Sequence, residues 1–157
     1  MNSPILTKTI KAEEKIKYIL QDYKDEWFLM SASVWVETKN KEIIQVINHA
    51  DIYEMLEDSE TVRAIQNYDF FTVVTSGWAA PLKSENPNSD EMVPSKHPER
   101  RRIRLIIGAD TTGVASVLRF QDNPDEIVTD EGNAQGSLAD AVWELLNNKL
   151  KAESKNN

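Results

Sequence analysis

Residues 97–105, with the sequence HPERRRIRL, hold the most distinctive chemistry of the chain. Four of its six arginines lie here within five residues: Arg100, Arg101, Arg102 and Arg104. The chain as a whole is acidic, with a formal net charge of −8 over 157 residues. Guanidinium groups bind carboxylates and phosphates through paired hydrogen bonds, which lysine cannot form with the same geometry. The segment therefore suggests either a surface that binds anions or the solvated face of a strand.

A β-strand through this segment would divide the arginines between two faces. Alternation places Arg100, Arg102 and Arg104 on one face. The opposite face would carry Arg101, Ile103, Leu105 and Ile107. One hypothesis is that the arginine face binds an anion or an acidic partner. The competing hypothesis is that its arginines pair with acids on a neighbouring strand, for example Glu37, and keep the sheet soluble.

A long polar loop leads into the arginine segment. Residues 81–98 contain four of the six prolines and follow neither helical nor strand periodicity. A loop of this length inside a compact domain is usually either functional or disordered. If the strands on its two sides pair as neighbours, Trp78 lies close to the start of the arginine run. The predicted binding residues are Trp78, His97, Arg100, Arg102 and Arg104.

The other residue types favour a non-enzymatic interaction or regulatory protein. The absence of cysteine excludes disulfides, thiolate metal sites and a cysteine nucleophile. The two histidines form no HExxH zinc motif, and no glycine-rich phosphate loop is present. The sequence therefore predicts no metal, no cofactor and no catalytic residue. Two alternatives stay open: an enzyme for an anionic substrate with His97 as base, and a single-strand nucleic-acid binder that stacks a base on Trp78.

Charge and hydropathy set the expected surroundings of the protein. The negative net charge disfavours bulk electrostatic binding to nucleic acid or to an anionic membrane. No apolar run is long enough to span a bilayer, and the N-terminus lacks the pattern of a secretory leader. We therefore predict a cytoplasmic chain that has no membrane attachment and whose partner is another protein.

Apolar periodicity predicts the elements of the N-terminal half. Residues 11–27 have helical spacing, and residues 28–37 alternate as in a strand with one apolar face. Residues 40–67 are predicted to form two or three helical pieces. Asp51 and Ser59 are the expected N-caps at the breaks between these pieces.

The C-terminal half is predicted to contain three strands and one helix. The expected elements are strands at 68–78, 101–110 and 114–120, an acidic loop at 121–135, a helix from Ser137 and a fraying tail at 151–157. Gly113 allows the positive φ of a short hairpin loop between the last two strands. Three tryptophans are expected in the core or at its rim, namely Trp27, Trp35 and Trp143.

These elements predict a single α+β domain over residues 1–157. The expected architecture is a two-layer sandwich, in which helices pack on one face of a mostly antiparallel sheet of about four strands. Short connections between the last strands disfavour a doubly wound parallel sheet.

Four runs occur together in the C-terminal half: TSGWAAPL, HPERRRIRLII, GVASVLRF and EGNAQGSLADAVWELL. Over roughly residues 70–146, this combination resembles small bacterial proteins that are known only as uncharacterised. The resemblance implies no fold, activity or ligand. It implies only that Trp78, the arginine run and the C-terminal helix belong to one module.

Overall fold

A computed structural model describes residues 4–19, 32–49, 51–79, 98–130 and 137–155. In chain order, the elements are α1 (Pro4–Ile19), β1 (Ala32–Glu37), β2 (Ile43–His49), α2 (Ile52–Glu57), α3 (Ser59–Ile65), β3 (Phe70–Ala79), β4 (Arg101–Asp110), β5 (Gly113–Phe120), β6 (Asn123–Asp130) and α4 (Ser137–Lys155). The described strands form one sheet in the order β2-β1-β3-β4-β5-β6, and every neighbouring pair is antiparallel. The predicted α+β class and antiparallel sheet are confirmed, but the sheet has six strands rather than about four.

The two faces of the sheet pack against different helices. α1 packs with Phe70, Ile106 and Val117, which define what we call the α1 face. The helices α2, α3 and α4 pack with Val73 and Ile107 on the opposite side, the α4 face. Consecutive strand residues such as Ile106 and Ile107 point to opposite faces, so helices cover both sides of the sheet. The predicted arrangement on one face therefore does not match these contacts, because the central strands are apolar on both sides and need two covers.

The main core lies on the α4 face. In the described part of the predicted strand 28–37, β1 buries Ala32, Val34 and Val36 there, as alternation predicts. Residues 28–31 lie outside the described residues, as does Trp27. The other two tryptophans differ from each other: Trp35 is buried on the α1 face, whereas Trp143 on α4 is 46 % exposed, contrary to the expectation for it.

The segment that follows β1 is a strand, β2, and the helical prediction for it is wrong. Ile43, Val46 and Ile47 have the i, i+3, i+4 spacing of a helix face. The same residues are β-branched and favour strands equally well. The segment is a strand because it pairs with β1 in an antiparallel ladder. The register of this ladder shifts between Val34 and Trp35 of β1.

α2 and α3 begin close to the predicted helix breaks. The Asp51 carboxylate accepts hydrogen bonds from the first backbone amides of α2, which confirms this N-cap. The N-cap of α3 is Asp58, one residue before the predicted Ser59. Both carboxylates satisfy amide groups that have no partner within the helix.

The acidic stretch after β5 is also a strand, and its prediction as a loop is wrong. Pro124 and several acids in β6 are rare in central strands, which made a loop the simpler interpretation. β6 lies at the edge of the sheet, where one side of the backbone needs no ladder partner. Edge strands tolerate proline and charge, and both discourage pairing with other chains.

The terminal helices differ from their predicted limits. α1 begins at Pro4 rather than near residue 11, and the described part of it ends at Ile19. α4 begins at the predicted Ser137 and continues to Lys155, within the tail expected to fray. Within the described ranges, no helix combines the length and the apolar character needed to cross a bilayer.

β4 and β5 form the predicted hairpin. Asp110 pairs with Gly113 across a two-residue connection, and Gly113 has a φ of +145°. The Asp110 carboxylate accepts hydrogen bonds from the backbone nitrogen and hydroxyl of Thr112, at 2.8 and 2.6 Å. This turn fixes the register that places the arginines of β4 against β5.

Candidate anion-binding surface

β3 and β4 bring together most of the predicted binding residues. Their antiparallel pairing places Trp78 directly opposite Arg102. Arg102 and Arg104 alternate with Ile106, so all three point to the α1 face. Arg100 immediately precedes β4 and is exposed. We call Trp78, Arg100, Arg102 and Arg104 the arginine surface.

The Trp78 indole contacts two guanidinium groups of this surface. The Cζ atoms of Arg100 and Arg102 lie 4.9 and 5.3 Å from the ring centroid. Both distances are within the range of about 6 Å for attraction between a cation and an aromatic ring. Trp78 therefore brings two positive charges together at one aromatic ring.

Arg101 points to the α4 face, as alternation predicts, and is engaged within the chain. Its Cζ lies 3.9 Å from the centroid of the Phe120 ring. Its Nε donates to Asp122 at 2.9 Å, and its Nη2 donates to Glu126 at 2.9 Å. These hydrogen bonds raise the pKa of Arg101 and lower the pKa of both carboxyls. Arg101 therefore belongs to an internal ion-pair cluster and not to the arginine surface.

The end of the arginine surface at Arg104, which we call the inner end, meets α1. Arg104 lies directly opposite Arg119 on β5, so both point to the α1 face. Glu13 of α1 reaches this pair, and its Oε1 accepts a hydrogen bond from Arg119 Nε. Burial lowers the pKa of Arg104, and the charge of Glu13 acts in the opposite direction. The outer end, with Arg100, is the more exposed part of the surface.

Glu13 and Arg119 are participants that the sequence interpretation missed. The predicted hairpin register would have found Arg119, because it fixes which residue of β5 lies opposite Arg104. Nothing in the sequence indicated Glu13. The prediction placed no helix on the arginine face, so no acid from a helix was expected there.

Two predicted participants are not part of the described surface. Glu37 ends β1 next to the residue that pairs with Phe71, at the opposite end of β3 from Trp78. It therefore cannot be the cross-strand acid suggested for the arginines. His97 lies outside the described residues, as does almost all of the loop 81–98.

Comparison with known proteins adds no family to this description. No protein-family model, no curated protein and no solved structure matched the chain. Within the described ranges, no group of three or more histidine or acidic side chains is placed to hold a metal ion. The resemblance to bacterial proteins stays a prediction, and the functional argument depends on the geometry of the arginine surface.

Proposed function

We propose that this chain is a cytoplasmic, non-enzymatic binding protein that holds an acidic segment of a partner protein on the arginine surface. The observation that carries the proposal is the contact of two guanidinium groups with one indole ring. Side chains held in this way lose little conformational entropy when they bind a carboxylate. Arg100 is exposed, and Trp78 and Arg102 are half-buried, which leaves the outer end accessible to a partner.

Arginines elsewhere in the chain support a carboxylate as the ligand. Arg101 binds the carboxylates of Asp122 and Glu126, and Arg119 binds that of Glu13. Alternate side chains along a strand lie about 7 Å apart, and alternate side chains of an extended peptide have the same spacing. An acidic segment that lies along β4 would therefore present carboxylates at the spacing of the arginines.

The nucleic-acid alternative fits the surface less well. Two guanidinium groups already lie near the Trp78 ring, and a base that stacked on it would compete with them for that ring. The enzyme alternative needs His97 as its base, and His97 lies outside the described residues. We therefore treat the nucleic-acid alternative as an outcome of the binding experiment.

The Arg100→Glu variant should bind a labelled oligoglutamate peptide at least about tenfold more weakly than the wild type. An arginine that becomes buried as an interface anchor contributes about 2 kcal/mol or more, and the new carboxylate would repel the ligand. Fluorescence anisotropy at low salt measures this affinity. The matched control is Arg63→Glu, because Arg63 is exposed on α3 and its reversal changes the net charge equally.

The control separates a specific surface from general electrostatic attraction. Wild-type affinity in Arg63→Glu together with weaker binding in Arg100→Glu supports the proposal. Equal affinities in all three proteins contradict it. Binding of an oligothymidylate in preference to the peptide would favour the nucleic-acid alternative, and thermal melts verify that each variant is folded.

A further inference from the structure

The inner end of the arginine surface contains two cations in direct opposition. Arg104 and Arg119 are cross-strand partners of β4 and β5, two pairs beyond Ile106 and Val117, which α1 covers on the same face. Like charges that face each other across a sheet destabilise it. An anion between them removes this penalty, and Glu13 supplies one from α1.

Glu13 binds this pair incompletely. The residue is 7 % exposed, and its Oε1 is hydrogen-bonded to Arg119. Its Oε2 is also buried, yet it accepts no hydrogen bond from any residue that the structure describes. A buried carboxylate oxygen that accepts no hydrogen bond costs free energy. This cost partly offsets the stabilisation that Glu13 gains from its ion pair with Arg119.

The contact between α1 and the sheet is polar over part of its area. Thr9 and Glu13 are buried on α1, and Thr72 and Asp110 are buried on the α1 face of the sheet. The Thr72 hydroxyl is buried without a hydrogen-bond partner in the described part of the chain. The α4 face has one large apolar cluster, although α4 also buries the polar side chain of Lys149. Glu13 therefore lies in a contact that buries several polar side chains besides its own.

We propose that Arg104 and Arg119 form a second carboxylate subsite, which Glu13 fills in the free protein and a carboxylate of the acidic partner fills in the complex. This inference rests on the proposed function. The partner segment would run along β4 and meet Arg100 and Arg102 first. Its next carboxylate would then compete with Glu13 at the inner end. Glu13 thereby limits the affinity of the arginine surface for short or weakly acidic segments.

The Glu13→Gln variant should bind the oligoglutamate peptide about tenfold more tightly than the wild type. The amide preserves the shape of the side chain but removes the competing charge, and a tenfold change corresponds to one added charge-assisted contact of ordinary strength. The matched control is Glu14→Gln, since Glu14 is the next residue of α1, is exposed and loses the same charge. Glu14→Gln should bind like the wild type.

Each outcome distinguishes this inference from the proposed function. If the wild type binds the peptide through Arg100 but Glu13→Gln binds no more tightly, the subsite is wrong and the proposed function stands. If the wild type does not bind the peptide, both are wrong. Should Glu13→Gln fail to melt cooperatively, Glu13→Asp replaces it: its shorter side chain should give a smaller gain, and an unchanged affinity overturns the subsite.

Discussion

Replacing Gly108 with alanine should lower the free energy of unfolding by about 2–3 kcal/mol, as overpacking of a well-packed site does. Gly108 lies in β4 under α1, and a methyl group there would lie 1.9 Å from Thr9 Oγ1 and 3.0 Å from Phe70 Cε2. Thr9 is fully buried and donates a hydrogen bond to the Ile5 carbonyl at 2.9 Å. Both side chains are buried between α1 and the sheet, so making room for the methyl group disturbs that contact. Chemical denaturation measures the loss.

Two further variants make this test specific. In Gly77→Ala, which also lies within a strand, the new methyl group would have no atom within 4 Å, so stability should change little. Thr9→Ala combined with Gly108→Ala should recover much of the lost stability, because the nearest clashing atom is gone. Equal stability of Gly77→Ala and Gly108→Ala would show that α1 does not lie on this face as described.

Removing the charge of Arg119 should cost about 3 kcal/mol of stability, because it leaves a buried carboxylate without its partner. The Glu13 side chain is only 8 % exposed, so water cannot replace the hydrogen bond from Arg119. Arg119→Met retains most of the apolar length of the side chain and isolates the effect of the charge. The measurement is urea denaturation at neutral pH. Arg63→Met on the exposed side of α3 is the control and should change stability by at most about 0.5 kcal/mol.

A double variant tests the cause of this loss. Glu13→Leu combined with Arg119→Met replaces the ion pair by apolar side chains, which is often neutral or stabilising in buried positions. The double variant should therefore be more stable than Arg119→Met alone. Additive losses from the two single variants would mean that Glu13 and Arg119 do not stabilise each other. Loss of Glu13 alone should cost less, because the Arg119 side chain is 24 % exposed and can be hydrated.

The arginine surface follows from local sequence signals to a large extent. Alternation along β4 places Arg101 on the opposite face of the sheet from the other arginines of the segment. The short turn at Gly113 fixes the hairpin register. Adjacency of the strands that flank the long loop then places Trp78 near Arg100. The first two steps need only periodicity and turn chemistry, which act over a few residues, whereas the pairing of β3 with β4 across the loop is a contact between distant segments.

The parts that the sequence could not predict depend on contacts between distant segments. The spacing of Ile43, Val46 and Ile47 suits a helix and a strand equally, and only pairing with β1 decides between them. β6 carries proline and acids because it is an edge strand, and edge position is a property of the assembled sheet. Glu13 reaches Arg119 only because α1 covers the face that was expected to be solvated.

The most direct test of the proposed binding surface is the indole N–H signal of Trp78 in nitrogen–proton spectra during titration with the oligoglutamate peptide. Because its ring contacts Arg100 and Arg102, this signal should shift progressively as their guanidinium groups bind carboxylates. The indole signals of Trp35, which is buried, and of Trp143, which lies on α4, should stay in place. Saturable peptide binding without a shift of Trp78, or with a shift of Trp143 instead, would contradict a carboxylate-binding role for the arginine surface.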